Sequence, residues 1–305
     1  MPVSFPPGFE WFILAWVFVL GCAVGSMLNV LIWRLPRGLS VGEPSRSICP
    51  HCGHQIRWHD NIPVLSFLML GRRCRDCGGS ISWRYPMVEL LTGLIFALIY
   101  FRQGIQVGTD GGQIVLMMLV ASLLIVASAV DMEWLIIPDE ISFFGMLGGL
   151  LAGFLIPGLH RGAAPYHTFE SLTGIARVDG LLGSLIGLLS GGVLVLGAAV
   201  VGAAIFRREA MGFGDVKLMA MLGAFFGWKV VVAAFFLAPF IGLLYGIPLL
   251  ILSDEHVMPY GPFLSIGALL ALVFRTDLCA LVEPLELVPE AVGYFLQQLG
   301  VCLLG

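Results

Sequence analysis

Apolar runs of roughly 18 residues or more recur along this chain, each about long enough to cross a bilayer as a helix. Only 12% of the 305 residues are charged, against about 25% in a typical soluble domain. The chain therefore reads as an all-α polytopic membrane protein with about eight transmembrane helices. Their predicted positions are 9–33, 87–101, 114–130, 141–156, 181–206, 216–228, 231–252 and 263–274. Only Trp228-Lys229 interrupts the stretch from 216 to 252, so it also admits another division. Gly and Ala within the runs let such helices pack closely, which accounts for most of the 39 glycines. The first run reads as a retained helix rather than a cleavable signal. No Lys or Arg precedes it, and no small-residue cleavage site follows. The net charge of −4 carries no information about nucleic acid, and no nucleic-acid partner is expected.

The basic residues are unevenly spread. Eight arginines, at 34, 37, 46, 57, 72, 73, 75 and 84, fall between the first two runs. Arg207, Arg208 and Lys217 flank a later loop. Placing both regions in the cytoplasm puts 11 of the 16 basic residues inside and the N-terminus outside. Alternating the helices from there brings Asp131 and Asp215, each at the inner edge of an apolar run, to one cytoplasmic face. The intervening loop 157–179, with His160 and His167, falls on the opposite face, and its histidines are read as solvated.

Carboxylates at membrane edges are costly and mark functional sites. Two on one side suggest an aspartyl dyad, in which one ionised acid activates water and one protonated acid serves the carbonyl oxygen. Around Asp215, Gly212 and Gly214 let backbone approach an extended substrate. Pro138 suits the first turn of a helix. There Asp139 and Glu140 would favour the macrodipole, the bland alternative to a direct role for Asp139. The bland alternative for Asp215 is an N-cap on a helix starting at Val216. Lys217 either pairs with an acid or marks the inner edge.

Between the first two runs, Cys49-Pro-His-Cys52 and Cys74-Arg-Asp-Cys77 form Cys-x2-Cys-x21-Cys-x2-Cys, with Gly53 and Gly78 following the pairs. That is the spacing of a tetrahedral zinc site. A cytoplasmic location disfavours disulfides, and matched pairs disfavour a lone redox motif. Four thiolates leave no open position, so the zinc would be structural and fold a loop that lacks a sizeable core. His51, His54 and His59 read as surface residues, and Cys22, Cys279 and Cys302 as packing thiols. The division that follows is 1–33 as first helix, 34–85 as zinc-binding module, 86–275 as membrane aspartyl peptidase core, and 276–305 as tail or interfacial helix.

Several blocks together resemble the type IV prepilin peptidases, bifunctional leader peptidase/N-methyltransferases of bacterial inner membranes. They are Gly25-Ser26-Met27-Leu28-Asn29-Val30 with Arg34-Leu35-Pro36, the two cysteine pairs, and Asp60-Asn61-Ile62-Pro63. Arg84-Tyr85-Pro86-Met87-Val88-Glu89, Asp131 with Ile137-Pro138-Asp139, Gly212-Phe213-Gly214-Asp215-Val216-Lys217 and Pro259-Tyr260-Gly261-Pro262-Phe263 complete the set. The resemblance implies cleavage of the basic leader from prepilins or type II secretion pseudopilins at the cytoplasmic face of the bilayer. It also implies methylation of the new N-terminus with S-adenosylmethionine. By motif position Asp131 and Asp215 match the catalytic pair and the cysteines match the tetracysteine site. Acids available to a basic leader are Glu43, Asp60, Asp76 and Glu89.

Two departures stand out. The interval between the acids is longer than expected, with the extra residues assigned to 157–179, and the tail after Arg275 is extended. No Gly-x-Gly-x-x-Gly signature is present, so the cofactor-binding residues are unassigned and S-adenosylmethionine rests on the resemblance. Oligomeric state is not legible. An ion path would spread charges through the membrane depth, whereas these acids sit at one edge. A noncatalytic assembly protein would use the cysteines but not the twin-glycine acid site. The tetracysteine block favours the prepilin branch over other aspartyl peptidases.

Overall fold

The computed structural model describes residues 8–43, 47–156, 159, 173–207, 211–252 and 259–274. The tail 276–305 and most of the loop 157–179, with His160 and His167, lie outside the described residues. The helices are α1 (Phe9–Arg34), α2 (Leu65–Met69), α3 (Arg84–Ile99), α4 (Gly111–Trp134), α5 (Asp139–Leu155), α6 (Ala176–Phe206), α7 (Phe213–Leu252) and α8 (Gly261–Val273). Among the described residues the only β pairing is two isolated bridges.

Five helical stretches are long and apolar enough to cross a membrane. Two further helices, α5 and α8, have 17 and 13 residues, short of the roughly 20 needed for a perpendicular crossing. The two runs expected at 216–228 and 231–252 are two helical segments that meet at a break at Gly227 (φ 78°, ψ 176°) and are numbered together as α7. Only glycine adopts that pair of angles without strain, so the break falls just before Trp228-Lys229. Beyond Ile99, α3 continues as a π-helical stretch, Tyr100–Val107. From it the buried Gln103 amide donates to the Leu272 and Val273 carbonyls, occupying the C-terminal end of α8.

Of the five long spans α4 is the most enclosed, with 67% of its apolar window buried. Val120, Ala121, Leu124 and Val130 on it have no exposed surface. Other helices present apolar residues outward, including Phe144, Leu147, Val193, Val200 and Phe240. A lipid surround makes that arrangement favourable where water would not.

Small residues set two of the contacts. On α1, Gly21 and Gly25 form a Gly-x-x-x-Gly stripe against α3, where an added Cβ would lie 2.7 Å from the Gly93 and Glu89 Cα atoms. Between α6 and α7 the approach is closer still. A Cβ on Gly187 would lie 2.0 Å from the Gly223 oxygen, and one on Gly223 1.9 Å from the Gly187 oxygen. Backbone meets backbone there, so no side chain can give way. Gly223→Val is expected to force α6 and α7 apart and destabilise the protein by at least the ~1–3 kcal/mol typical of overpacking. Thermal melts in detergent would measure it, and an unchanged midpoint would refute the contact.

Candidate functional site

Both acids are at the same end of the bundle. Asp131 lies in the last turn of α4 and Asp215 in the first turn of α7, 7% and 6% exposed. Helix α7 starts at Phe213 rather than Val216, so Asp215 is inside the helix and is not its N-cap. Its own N–H bonds the Gly212 carbonyl at 3.2 Å. Pro138 likewise stands one place earlier than a first-turn proline, as the N-cap residue of α5, with Asp139 and Glu140 in the first turn.

The chain reverses between α4 and α5 through Leu135, whose φ of 55° is unusual for a branched side chain. Its N–H closes on the Asp131 carbonyl at 2.9 Å. The reversal carries Ile137 onto the start of α7, where a Cβ on Gly214 would meet Ile137 Cβ at 3.1 Å. Gly214 therefore admits the α4–α5 turn, and Ile137 covers the face that its missing side chain leaves open. Lys217 forms an ion pair with Asp139 and lies over the Phe213 and Phe143 rings, tying α7 to α5. That pairing is the partner the sequence left open for Lys217.

Sequence reasoning assigned no role to Gly261, yet its N–H donates to Asp131 Oδ2 at 3.0 Å. This is a free donor of the first turn of α8, aimed at an acid as helix N-termini favour. A Cβ at Gly261 would lie 2.7 Å from the same oxygen, so only glycine allows the contact. The one available signal was the Pro-Tyr-Gly-Pro punctuation at 259–262. Asp131 is at the C-terminal end of its own helix and faces the N-terminus of another, whereas Asp215 is at an N-terminus. The two carboxylates thus sit in unequal fields, and each is close enough to bear on the other.

The four cysteines converge, with all four sulfurs within 4.8 Å of one another. They come from two hairpins of the same build. Gly53 N–H bonds the Cys49 carbonyl and Gly78 N–H the Cys74 carbonyl, both at 2.9 Å. Both glycines have positive φ, 72° and 70°, which the tight knuckle requires. All four thiols are free, and Cys49 Sγ and Cys77 Sγ are 3.9 Å apart. Tetrahedral thiolates at about 2.3 Å from zinc have edges of roughly 3.8 Å, so the donor set fits a metal ion. Backbone N–H groups of Cys77 and then Asp76 hold the Cys74 thiol down at about 7, whereas the Cys52 and Cys77 thiols beside it shift upward. None of His51, His54 and His59 joins the cluster.

Around the cysteines, Arg75 grips both oxygens of Asp60 at 2.7 and 2.9 Å, and Arg57 reaches Asp76 at 3.2 Å. Two of the four acids considered for a basic leader are therefore already matched. Glu43 is exposed and Glu89 is buried. Arg84, at the start of α3, pairs with Glu133 at 2.7 Å, joining the end of the tetracysteine segment to the helix that carries Asp131.

Two family profiles match the chain, the bacterial peptidase A24 N-terminal domain over residues 19–103 and the type IV leader peptidase family over 118–247. A prepilin leader peptidase/N-methyltransferase of Myxococcus xanthus is 38% identical over 84% of this chain and 67% of its own. The chain belongs to the type IV leader peptidase family. Proteins of the same name from Aeromonas hydrophila and Pseudomonas putida are 32% and 34% identical, over 88% and 86% of this chain and 92% and 91% of theirs. No solved structure gives a significant match.

Two outcomes test this geometry. Cys74→Ser is expected to lose most of the bound metal on elemental analysis; unchanged metal content would remove Cys74 from the cluster. The Asp60 carboxyl is held below its usual range, first by hydrogen bonding to Arg75. Its contribution to stability is therefore present above the unfolded value of about 3.9 and fades as the pH falls through the lower folded value. Amide protection within 57–80, measured against the intrinsic exchange rate at each pH, is expected to fall on that descent in wild type, and much less in Arg75→Ala.

Proposed function

We propose that this protein removes the basic leader of prepilins or pseudopilins at the cytoplasmic face of the bacterial inner membrane and N-methylates the exposed amine. Asp131 and Asp215 are its hydrolytic pair. The observation that carries this reading is the meeting of two buried carboxylates at one end of the bundle, beside the bare backbone of Gly212. Membership of the leader peptidase family supports it, as do the names of the relatives.

One carboxylate of the pair is ionised and takes a proton from water. The other is protonated and gives its proton to the scissile carbonyl oxygen as the water oxygen adds to carbon. Collapse of the resulting diol breaks the C–N bond, and the departing amine takes up a proton. Which acid starts protonated is a property of the pair. The Gly261 N–H orients Asp131, and the Lys217–Asp139 pair holds the α5 and α7 starts together around the reacting peptide.

The eight arginines between residues 34 and 84 support a cytoplasmic tetracysteine module and an external N-terminus. Zinc is the metal the four thiolates suit best; with no open position, it would brace the module. S-adenosylmethionine would supply a methyl group already activated on a sulfonium sulfur.

A prepilin peptide with a basic leader, Gly, then Phe and an apolar helix tests the reading directly. Purified wild type is expected to cut it after the Gly, and mass spectrometry would follow the cut. Asp131→Asn and Asp215→Asn are each expected to lower cleavage by at least about a hundredfold, because one acid cannot fill both roles. Substantial cleavage by either variant would remove that residue from the pair.

A further inference from the structure

The longest apolar run in the arginine-rich segment 34–84 is Ile62-Pro-Val-Leu-Ser-Phe-Leu-Met-Leu70, far too short to cross a bilayer. Part of it folds as α2 (Leu65–Met69), and that helix is one-sided. Ser66 and Phe67 are buried. Ser66 accepts the Ile62 N–H and donates to the His59 carbonyl, and the Phe67 ring lies 4.9 Å from the Trp83 ring between centroids. Leu65, Leu68 and Met69, by contrast, are 57%, 65% and 81% exposed. At roughly 100° per residue these three share a stripe about 100° wide, turned away from the two buried residues.

The level of α2 along the bundle says what lies outside that stripe. Just before α2, the Val64 N–H bonds Glu89 Oε2 at 2.7 Å. Glu89 is in the second turn of α3 and packs on Gly25, more than two turns before α1 ends at Arg34. Just after α2, the Arg72 guanidinium lies 5.1 Å over the ring of Trp83, the residue that precedes α3. Helix α2 is therefore between these marks, within about 5–10 Å of the helix ends along the axis. Interfacial helices bury their apolar face to that depth. Trp33 and Trp134, on either side of the Arg37 guanidinium, mark the corresponding ends of α1 and α4, as tryptophans do at membrane–water boundaries. At the same level α3, a membrane-crossing helix, turns Met87 outward. Arg72 and Arg73 follow the stripe, both exposed, and among the described residues neither has a carboxylate partner.

We propose that α2 is an interfacial anchor for the tetracysteine segment. Leu65, Leu68 and Met69 enter the leaflet that α3 enters at Arg84, and Arg72 and Arg73 hold the phosphates of anionic lipids there. The proposal rests on the membrane placement of α3 and not on the peptidase reading. Charge decides between occupants. A basic leader would meet two like charges beside the stripe, whereas an anionic leaflet attracts them. A face of one and a half turns is also too short to grip a long partner helix, but it suffices to seat a loop on a surface to which α1 and α3 already bind it.

The test uses the full chain in lipid nanodiscs holding equal amounts of phosphatidylglycerol and phosphatidylcholine. A benzophenone amino acid is placed at position 68 and, as a positive control, at the exposed position 94 of α3. This label avoids thiol chemistry, which the free cysteines would capture. On illumination position 68 is expected to form lipid adducts, as position 94 does. At position 68 phosphatidylglycerol adducts are expected to exceed phosphatidylcholine adducts at least about threefold, reflecting the pull of two basic residues on anionic lipid. In Arg72→Gln/Arg73→Gln the adducts are expected to persist at near parity. Adducts at 94 but none at 68 overturn the anchor, as do crosslinks from 68 to a second copy or to an added prepilin. Parity in wild type overturns the role of the arginines. A diazirine-bearing phosphatidylglycerol is expected to label wild type within 62–73; this needs no substitution, and absence of label there overturns the proposal even if a variant fails to fold.

Discussion

An acid enclosed by apolar helices loses the water that would solvate it, so protein groups have to hold it. Much of this fold answers that need at Asp131. Its carboxylate accepts a hydrogen bond from the N–H of Gly261, the first residue of α8. For that N–H to reach it, α8 has to pack on α4 with no side chain between them, and residue 261 has to be glycine. At the far end, Gln103 occupies the last carbonyls of α8 and fixes its position from α3. A short helix of 13 residues is thus pinned at both ends by polar contacts rather than by length.

Asp215 is positioned by different means. It comes from α7, and the start of α7 is set by the Ile137–Gly214 contact and the Lys217–Asp139 pair. Behind them, backbone-to-backbone packing of α6 on α7 leaves α7 little freedom to shift. The Leu135 reversal therefore matters to both acids, because it ends the helix of one and seats the helix of the other.

The tetracysteine segment meets a different problem, a loop of about fifty residues with little core of its own. Two matching hairpins bring four thiols together, and Arg–Asp pairs surround them. The Val64–Glu89 bond and the Arg84–Glu133 pair then dock the segment on the helices.

Much of this was legible in the sequence because it depends on local pattern. Apolar length dictated membrane helices, the Cys-x2-Cys pairs with their trailing glycines dictated the sulfur cluster, and residue spacing marked Asp131 and Asp215. Local pattern also has limits. It placed the division of the 216–252 stretch at Trp228-Lys229 but could not name Gly227 as the break, since a single non-helical glycine is invisible in an apolar run. It set the start of α7 three residues late, which left an external N-cap as the bland alternative for Asp215. The Gly261 contact and the Lys217 partner were settled only by tertiary packing. Each joins residues from different helices, separated by 130 positions in the case of Gly261 and Asp131. Composition and spacing carry what a residue does to its neighbours in the chain; which helix end faces which carboxylate is decided when the helices meet.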